Sequence, residues 1–139
     1  LGDHDLVRAA LSDIGVSLDF WRVSIKPGKP VALGRSPGGS TVLCLPGNPS
    51  SAMLTFVLFG APFLRTLQGD LRAVPGGVKA RAAGEIRHAP GRLEFVRGRL
   101  DETSSPVRFE ALPNQSSGSV SSFAWANALA MIPLSAAIY

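Results

Sequence analysis

The chain has 139 residues, 45% of them hydrophobic and 17% charged, which excludes a disordered segment and fits one medium domain or two small ones. Its net charge of +4 is spread evenly, six basic and four acidic side chains in residues 1–69 and eight and six in residues 70–139, so no basic footprint for nucleic acid exists. A single cysteine, Cys44, rules out an internal disulfide and fits a reducing, cytoplasmic compartment; with only His4 and His88 beside it, little is left to build a zinc site.

No Met opens the chain, and Leu1 leads straight into a polar turn, as expected of a piece of something longer. "GDHDLVRAALSDIG" reads as a helix, with Leu6, Val7, Ala10, Leu11 and Ile14 on one face, Asp3 and Asp5 suiting its N-terminus, and Gly15 suiting its C-cap. "FWRVSI" alternates like a strand, Trp21, Val23 and Ile25 on one side and Arg22 and Ser24 on the other. A stiff corner, "KPGKP", follows; then "VALGR" reads as a second strand, "SPGGS" as a turn, and the apolar "TVLCL" as a third strand buried on both faces, as in an α/β sheet.

"PGNPSSAMLTFVLFGAPFLRTLQG" is a strand-to-helix junction, with Asn48 as N-cap and Pro49 in the first turn. Met53, Phe56, Val57, Gly60, Phe63 or Leu64, and Leu67 form the expected buried stripe, with a kink or break at Pro62, whose ring and missing N–H interrupt a regular helix. The apolar run from Ala52 to Leu64 contains Thr55, Gly60 and Pro62 and reads as too short to span a bilayer, so no membrane partner is expected. From Leu71 the chain breaks into short strand-like pieces, "VKARAAGEI", "GRLEFVRGRL", "PVRFEAL" and "ANALAMI", separated by Gly, Pro and Ser. The fold class expected is therefore α/β: an α/β sheet unit over residues 1–70, then an all-β, barrel-like or sandwich unit over residues 71–139.

Three features suit an anion. The Lys26/Lys29 corner holds two ammonium groups on a turn stiffened by prolines; "PGNPSS" offers backbone N–H groups, the positive end of a helix and the hydroxyls of Ser50 and Ser51; and ligands collect where strands of α/β sheets open into helices. The same residues also suit plainer roles, a solvated hairpin and a helix cap, and "GRLEFVRGRL" suits a strand with a wet face. No phosphate-loop motif and no Ser-His-Asp or Cys-His grouping is present, so covalent hydrolase chemistry is not indicated. A hard cation held by carboxylates and a substrate phosphate stays open.

Taken together, "GDHDLV…FWRVSIKPGKPVALG…CLPGNPSSAMLTFVLFGAPFLRTLQG" closely resembles the C-terminal part of the molybdopterin molybdenumtransferase family, which includes the E domain of gephyrin. "GRLEFVRGRL…LPNQSSGSVSSFAWANALAMIP" resembles that family's last, β-rich domain. The pairing of KPGKP with LPGNPSS carries the most specificity. The resemblance implies insertion of molybdate into adenylylated molybdopterin with release of AMP, a divalent cation (usually magnesium), and an elongated homodimer. It implies that Lys26, Pro27, Ser51, Arg92 and Ser117 surround the oxyanion, that Lys29 and the Pro46, Gly47 and Asn48 turn assist phosphate placement, and that Asp5 serves magnesium or the attack on the adenylate. Arg22 stands where the family commonly has lysine, keeping the charge with a different geometry. The family's upstream half, with its Gly-Gly-Val-Ser loop, has no counterpart in these residues. Two other readings share the architecture: a scaffold that holds receptor loops, as in gephyrin, and a pterin-adenylating enzyme, which would need only the first unit.

Overall fold

The computed structural model describes residues 6–134. Helix α1 (Val7–Asp13) ends at Gly15, whose φ of +77° is the left-handed conformation that glycine adopts without a Cβ penalty. Leu6, Val7 and Ile14 on this helix are exposed. Strand β1 (Ser17–Phe20), β3 (Ala32–Arg35) and β4 (Thr41–Cys44) form a three-stranded sheet in the order β1-β3-β4, antiparallel throughout. The "SPGGS" turn closes the β3–β4 hairpin, with Ser36 N–H donating to Ser40 O and Ser40 N–H donating to Ser36 Oγ.

Two sequence expectations change here. "FWRVSI" is not one strand: β1 stops at Phe20 and β2 is only Ile25–Lys26. The reason is topological, because β1 pairs within the first sheet and β2 pairs within the second, so the chain crosses between sheets over residues 21–24. "TVLCL" is not buried on both faces either. β4 ends its strand order and pairs only with β3, which leaves its residues exposed or half-buried.

The second sheet has the order β2-β6-β7-β5, with β8 also paired to β6. Its members are β5 (Arg81–Ala82), β6 (Leu93–Asp101), β7 (Arg108–Ala111) and β8 (Ala128–Ile132), which fall on the strand-like pieces read from sequence, β6 running one residue past its own. The nine-residue β6 is central, antiparallel to β7 and β8 and parallel to β2. Ile86, Val96, Phe109 and Ile132 form its core cluster, with Ala82, Leu100 and Ala130 among the residues packed around it. A short helix, α4 (Ser121–Trp125), lies between β7 and β8.

The helix after Asn48 comes in three parts: α2 (Pro49–Thr55), a π-helical segment over Phe56–Gly60, and α3 (Ala61–Leu67). The irregularity expected at Pro62 is met by the wider π turn immediately before it, where the i−4 hydrogen bond that proline cannot donate would fall. Of the expected buried stripe only Gly60 is buried and Phe63 half-buried; the rest is turned outward. Met53, Phe56, Val57, Leu64 and Leu67 are each at least 39% exposed, while Ser50, Ser51, Leu54, Thr55, Gly60 and Pro62 are buried. Small side chains occupy the contact because other backbone comes close there, as at Gly28 beside Thr55. Read as one helix, Pro49–Leu67 is 19 residues and apolar enough to pass a length-and-composition test for a bilayer span, which the count over Ala52–Leu64 alone missed.

Phe109 is the largest side chain of the β cluster and is 4% exposed. Phe109→Ala should lower the unfolding free energy by about 3–5 kcal/mol, read as a shifted urea midpoint.

Candidate functional site

The corner is built on β2. The Lys26–Pro27 peptide is cis, Gly28 has φ +110°, Val31 N–H donates to Gly28 O, and Val23 N–H donates to Lys29 O. A Cβ on Gly28 would stand 2.5 Å from Thr55 Cγ2, so the corner lies directly against α2. Thr55 is fully buried there and its hydroxyl donates to Ser51 O. Gly28→Ala should therefore destabilise the fold by about 1–3 kcal/mol, since the left-handed φ and the contact both oppose it; chemical denaturation would measure this.

Lys26 is tied on its other side. In the parallel ladder Lys26 stands opposite Glu94, and its Nζ lies 2.8 Å from Glu94 Oε1. The second carboxylate oxygen, Oε2, lies 2.7 Å from His88 Nδ1. An ionised carboxylate can only accept, so Nδ1 carries the proton in this contact. The His88 side chain is fully enclosed, and its Nε2 has no partner among the described residues. Burial pushes the Glu94 carboxyl up, but hydrogen bonds from Lys26 and His88 outweigh it and hold the group below the usual glutamate range. A carboxyl lowered in the folded state stabilises above its unfolded value, about 4.3, and that stability is lost as pH falls through the folded value. The urea midpoint should therefore fall on acidification below about pH 4, with a shallower fall in Glu94→Gln.

A second cluster lies at the start of α2. Asn48, the N-cap by position, makes no side-chain cap; its amide donates instead to Ser117 Oγ at 3.2 Å. Ser50 Oγ donates to Ser119 O at 2.9 Å. Two sequence-distant segments, PGNPSS and QSSGS, are thus joined twice.

Behind that loop stands Arg97, 1% exposed, the largest fully buried side chain among the described residues. Its Nη2 donates to Ser116 O at 3.1 Å, and the guanidinium lies 5.2 Å from the Phe123 ring centroid, a cation–π contact with α4. Among the described residues Nε and Nη1 have no partner, and no carboxylate pairs with the group. Desolvation pulls the guanidinium below its ordinary value, which for arginine still leaves it charged. Gln115 completes the anchor, accepting from Arg97 N–H and donating to Arg97 O and Leu112 O. Gln115→Ala should cost about 1–3 kcal/mol for the groups left unpaired, and should speed amide exchange over residues 115–119.

The residues read from sequence are therefore distributed unevenly. The structure joins Asn48 to Ser117 and sets Pro46 and Ser51 as buried positions next to them in α2 and its approach. Gly47 is exposed in the same turn, and Pro27 is half-buried in the corner. Lys29, Arg22 and Arg92 are exposed and make no ion pair among the described residues. Asp5 lies outside the described residues. Arg97, Glu94, His88 and Gln115 were missed. Strand alternation in "LEFVR" was the available signal for Arg97, because it places an arginine on the face of Leu93 and Phe95.

Among the described residues no group of three or more His, Cys, Asp or Glu side chains converges, and Glu94 is engaged by Lys26 and His88.

Comparison with known proteins agrees with this architecture. Residues 1–66 match the family described as a probable molybdopterin binding domain, and residues 79–139 match the MoeA C-terminal region (domain IV). Over 70 residues, half of this chain, it is 41% identical to a molybdopterin molybdenumtransferase of Haemophilus influenzae, and over 69 residues 42% identical to the Drosophila melanogaster molybdenum cofactor synthesis protein cinnamon. The matched spans are 17% and 11% of those proteins, so the chain covers a small part of its curated relatives. A solved molybdopterin biosynthesis MoeA protein from Pyrococcus horikoshii superposes with a TM-score of 0.73 at 27% identity, over 96% of this chain and 32% of that one.

Proposed function

Because this chain belongs to the molybdopterin molybdenumtransferase (MoeA) family, with both its molybdopterin-binding and C-terminal regions represented, we propose that it serves molybdenum cofactor biosynthesis. The step is insertion of molybdate into adenylylated molybdopterin with release of AMP. The observation that carries this reading is Arg97, a buried guanidinium whose Nε and Nη1 have no partner, and which pairs with no carboxylate, among the described residues, placed behind the Asn48–Ser117 junction. A permanently charged group kept from water without a counter-ion favours an anion as its complement.

In this reading the loop of Gln115–Ser119 and the PGNPSS turn hold the oxyanion between hydroxyl, amide and guanidinium donors. The corner brings Lys26 and Lys29 to the substrate's phosphate. Hydrogen bonds to charged groups contribute roughly 1.5–3 kcal/mol each, enough for a few such donors to offset a dianion's lost hydration. Arg97, which meets the Ser117 loop, adds a buried cation to the exposed Arg92 that the sequence suggested for the oxyanion. Magnesium stays attached to Asp5 as an expectation, and no step is assigned to it. A homodimer and a cytoplasmic location belong to the same proposal. The scaffold reading draws on the 38% identity to a Dictyostelium discoideum gephyrin over 84 residues; against it stands Arg97, whose Nε and Nη1 have no partner among the described residues.

Calorimetric titration with molybdate, with sulfate as control, tests the assignment. Saturable binding that prefers molybdate is expected, weakened about tenfold or more in Lys26→Ala and in Arg97→Met. Equal affinity for the two anions, or unchanged binding in both variants, would refute it.

A further inference from the structure

We propose that Glu94, backed by His88, is a positioning residue that fixes the Lys26 ammonium for its ligand; the purpose of that fixing rests on the oxyanion reading above. The ladder register sets Lys26 directly opposite Glu94, so the two side chains start from neighbouring Cα positions in different parts of the sequence. Both carboxylate oxygens are engaged, one by Nζ at 2.8 Å and one by His88 Nδ1 at 2.7 Å. The carboxylate side chain is 10% exposed and the imidazole is fully enclosed, so neither has room to turn away.

A lysine ammonium has three donors. Glu94 occupies one, and the 45% exposure of the Lys26 side chain leaves the others able to meet a ligand. The rotamer freedom that a long cation ordinarily loses on binding is already lost here on folding. Lys29, on the same corner, has no such contact among the described residues and provides the comparison.

Trace acylation with acetic anhydride, read by peptide mass spectrometry, compares Lys26, Lys29 and Lys79 in one sample of the protein. An ammonium that donates to a carboxylate must give up that contact and its proton before it can attack the anhydride. Lys26 should therefore react roughly three- to tenfold more slowly than Lys29. The nearly isosteric Glu94→Gln should bring it level, and Glu94→Asp should restore part of the difference, with circular dichroism confirming that each variant folds. Lys26 reacting as fast as Lys29 in the unaltered protein, or no faster in Glu94→Gln, overturns the proposal. Molybdate added during acylation should protect Lys26, at roughly three- to tenfold higher concentration in Glu94→Gln. Equal protection in both overturns the proposal. If the acylation difference holds and molybdate protects neither, Glu94 still positions Lys26, and it is the molybdate reading that fails.

Discussion

A two-rung parallel ladder, Ile25 with Leu93 and Lys26 with Glu94, is the constraint on which the rest of this molecule depends. Ile25 is buried and Leu93 N–H donates to Ser24 O, so the crossing segment is held by both side chain and backbone. Without it the KPGKP corner would hang from a three-stranded sheet with no fixed relation to β6. With it, the corner rests on α2, α2 contacts the QSSGS loop, and Arg97 on β6 holds that loop from behind. The path returns to the strand where it began. Residues spread over ninety positions of sequence thus share one closed circuit of contacts.

Charge is handled differently at two places on β6. Lys26 is neutralised locally by Glu94, whereas Arg97 is left with carbonyls and an aromatic face. Alternation along the strand separates the two: Glu94 shares the side of Val96 and the Ile86–Phe109–Ile132 cluster, and Arg97 shares the side that meets Phe123. A carboxylate beside Arg97 would make a stable pair but would also fill the place of an incoming anion. Leaving a desolvated cation unpaired costs stability, and proteins keep such costs where a ligand repays them.

The β-rich second half was legible because its strands are separated by Gly, Pro and Ser and alternate clearly, and each expected piece contains an observed strand. The first half was less so. Periodicity marks which residues share a side, but not which side is covered, and on the first half of the helix after Asn48 the packed residues are Ser50, Ser51 and Thr55 together with Leu54. Asn48 illustrates a related ambiguity. The residue type that caps a helix is equally able to reach across to Ser117, and only the nearby loop decides between them. Glu94 and His88 were invisible because their importance comes from the β2–β6 register, which no local pattern encodes. The KPGKP and LPGNPSS motifs were conspicuous for the opposite reason, since glycine and proline fix the backbone wherever they occur.

The π segment at Phe56–Gly60 also has a meaning for the exposed apolar residues. One residue beyond the ordinary α turn advances the helix by about 100° of rotation. The two halves of the Pro49–Leu67 helix are therefore out of phase, like two lengths of thread joined with a slipped pitch. The first half turns Ser50, Leu54 and Thr55 inward, and the second resets so that Gly60 and Pro62 do the same. The slip thus changes partway along the rod which side is turned to the fold, and Met53, Phe56, Val57, Leu64 and Leu67 stand exposed while Leu54 is packed.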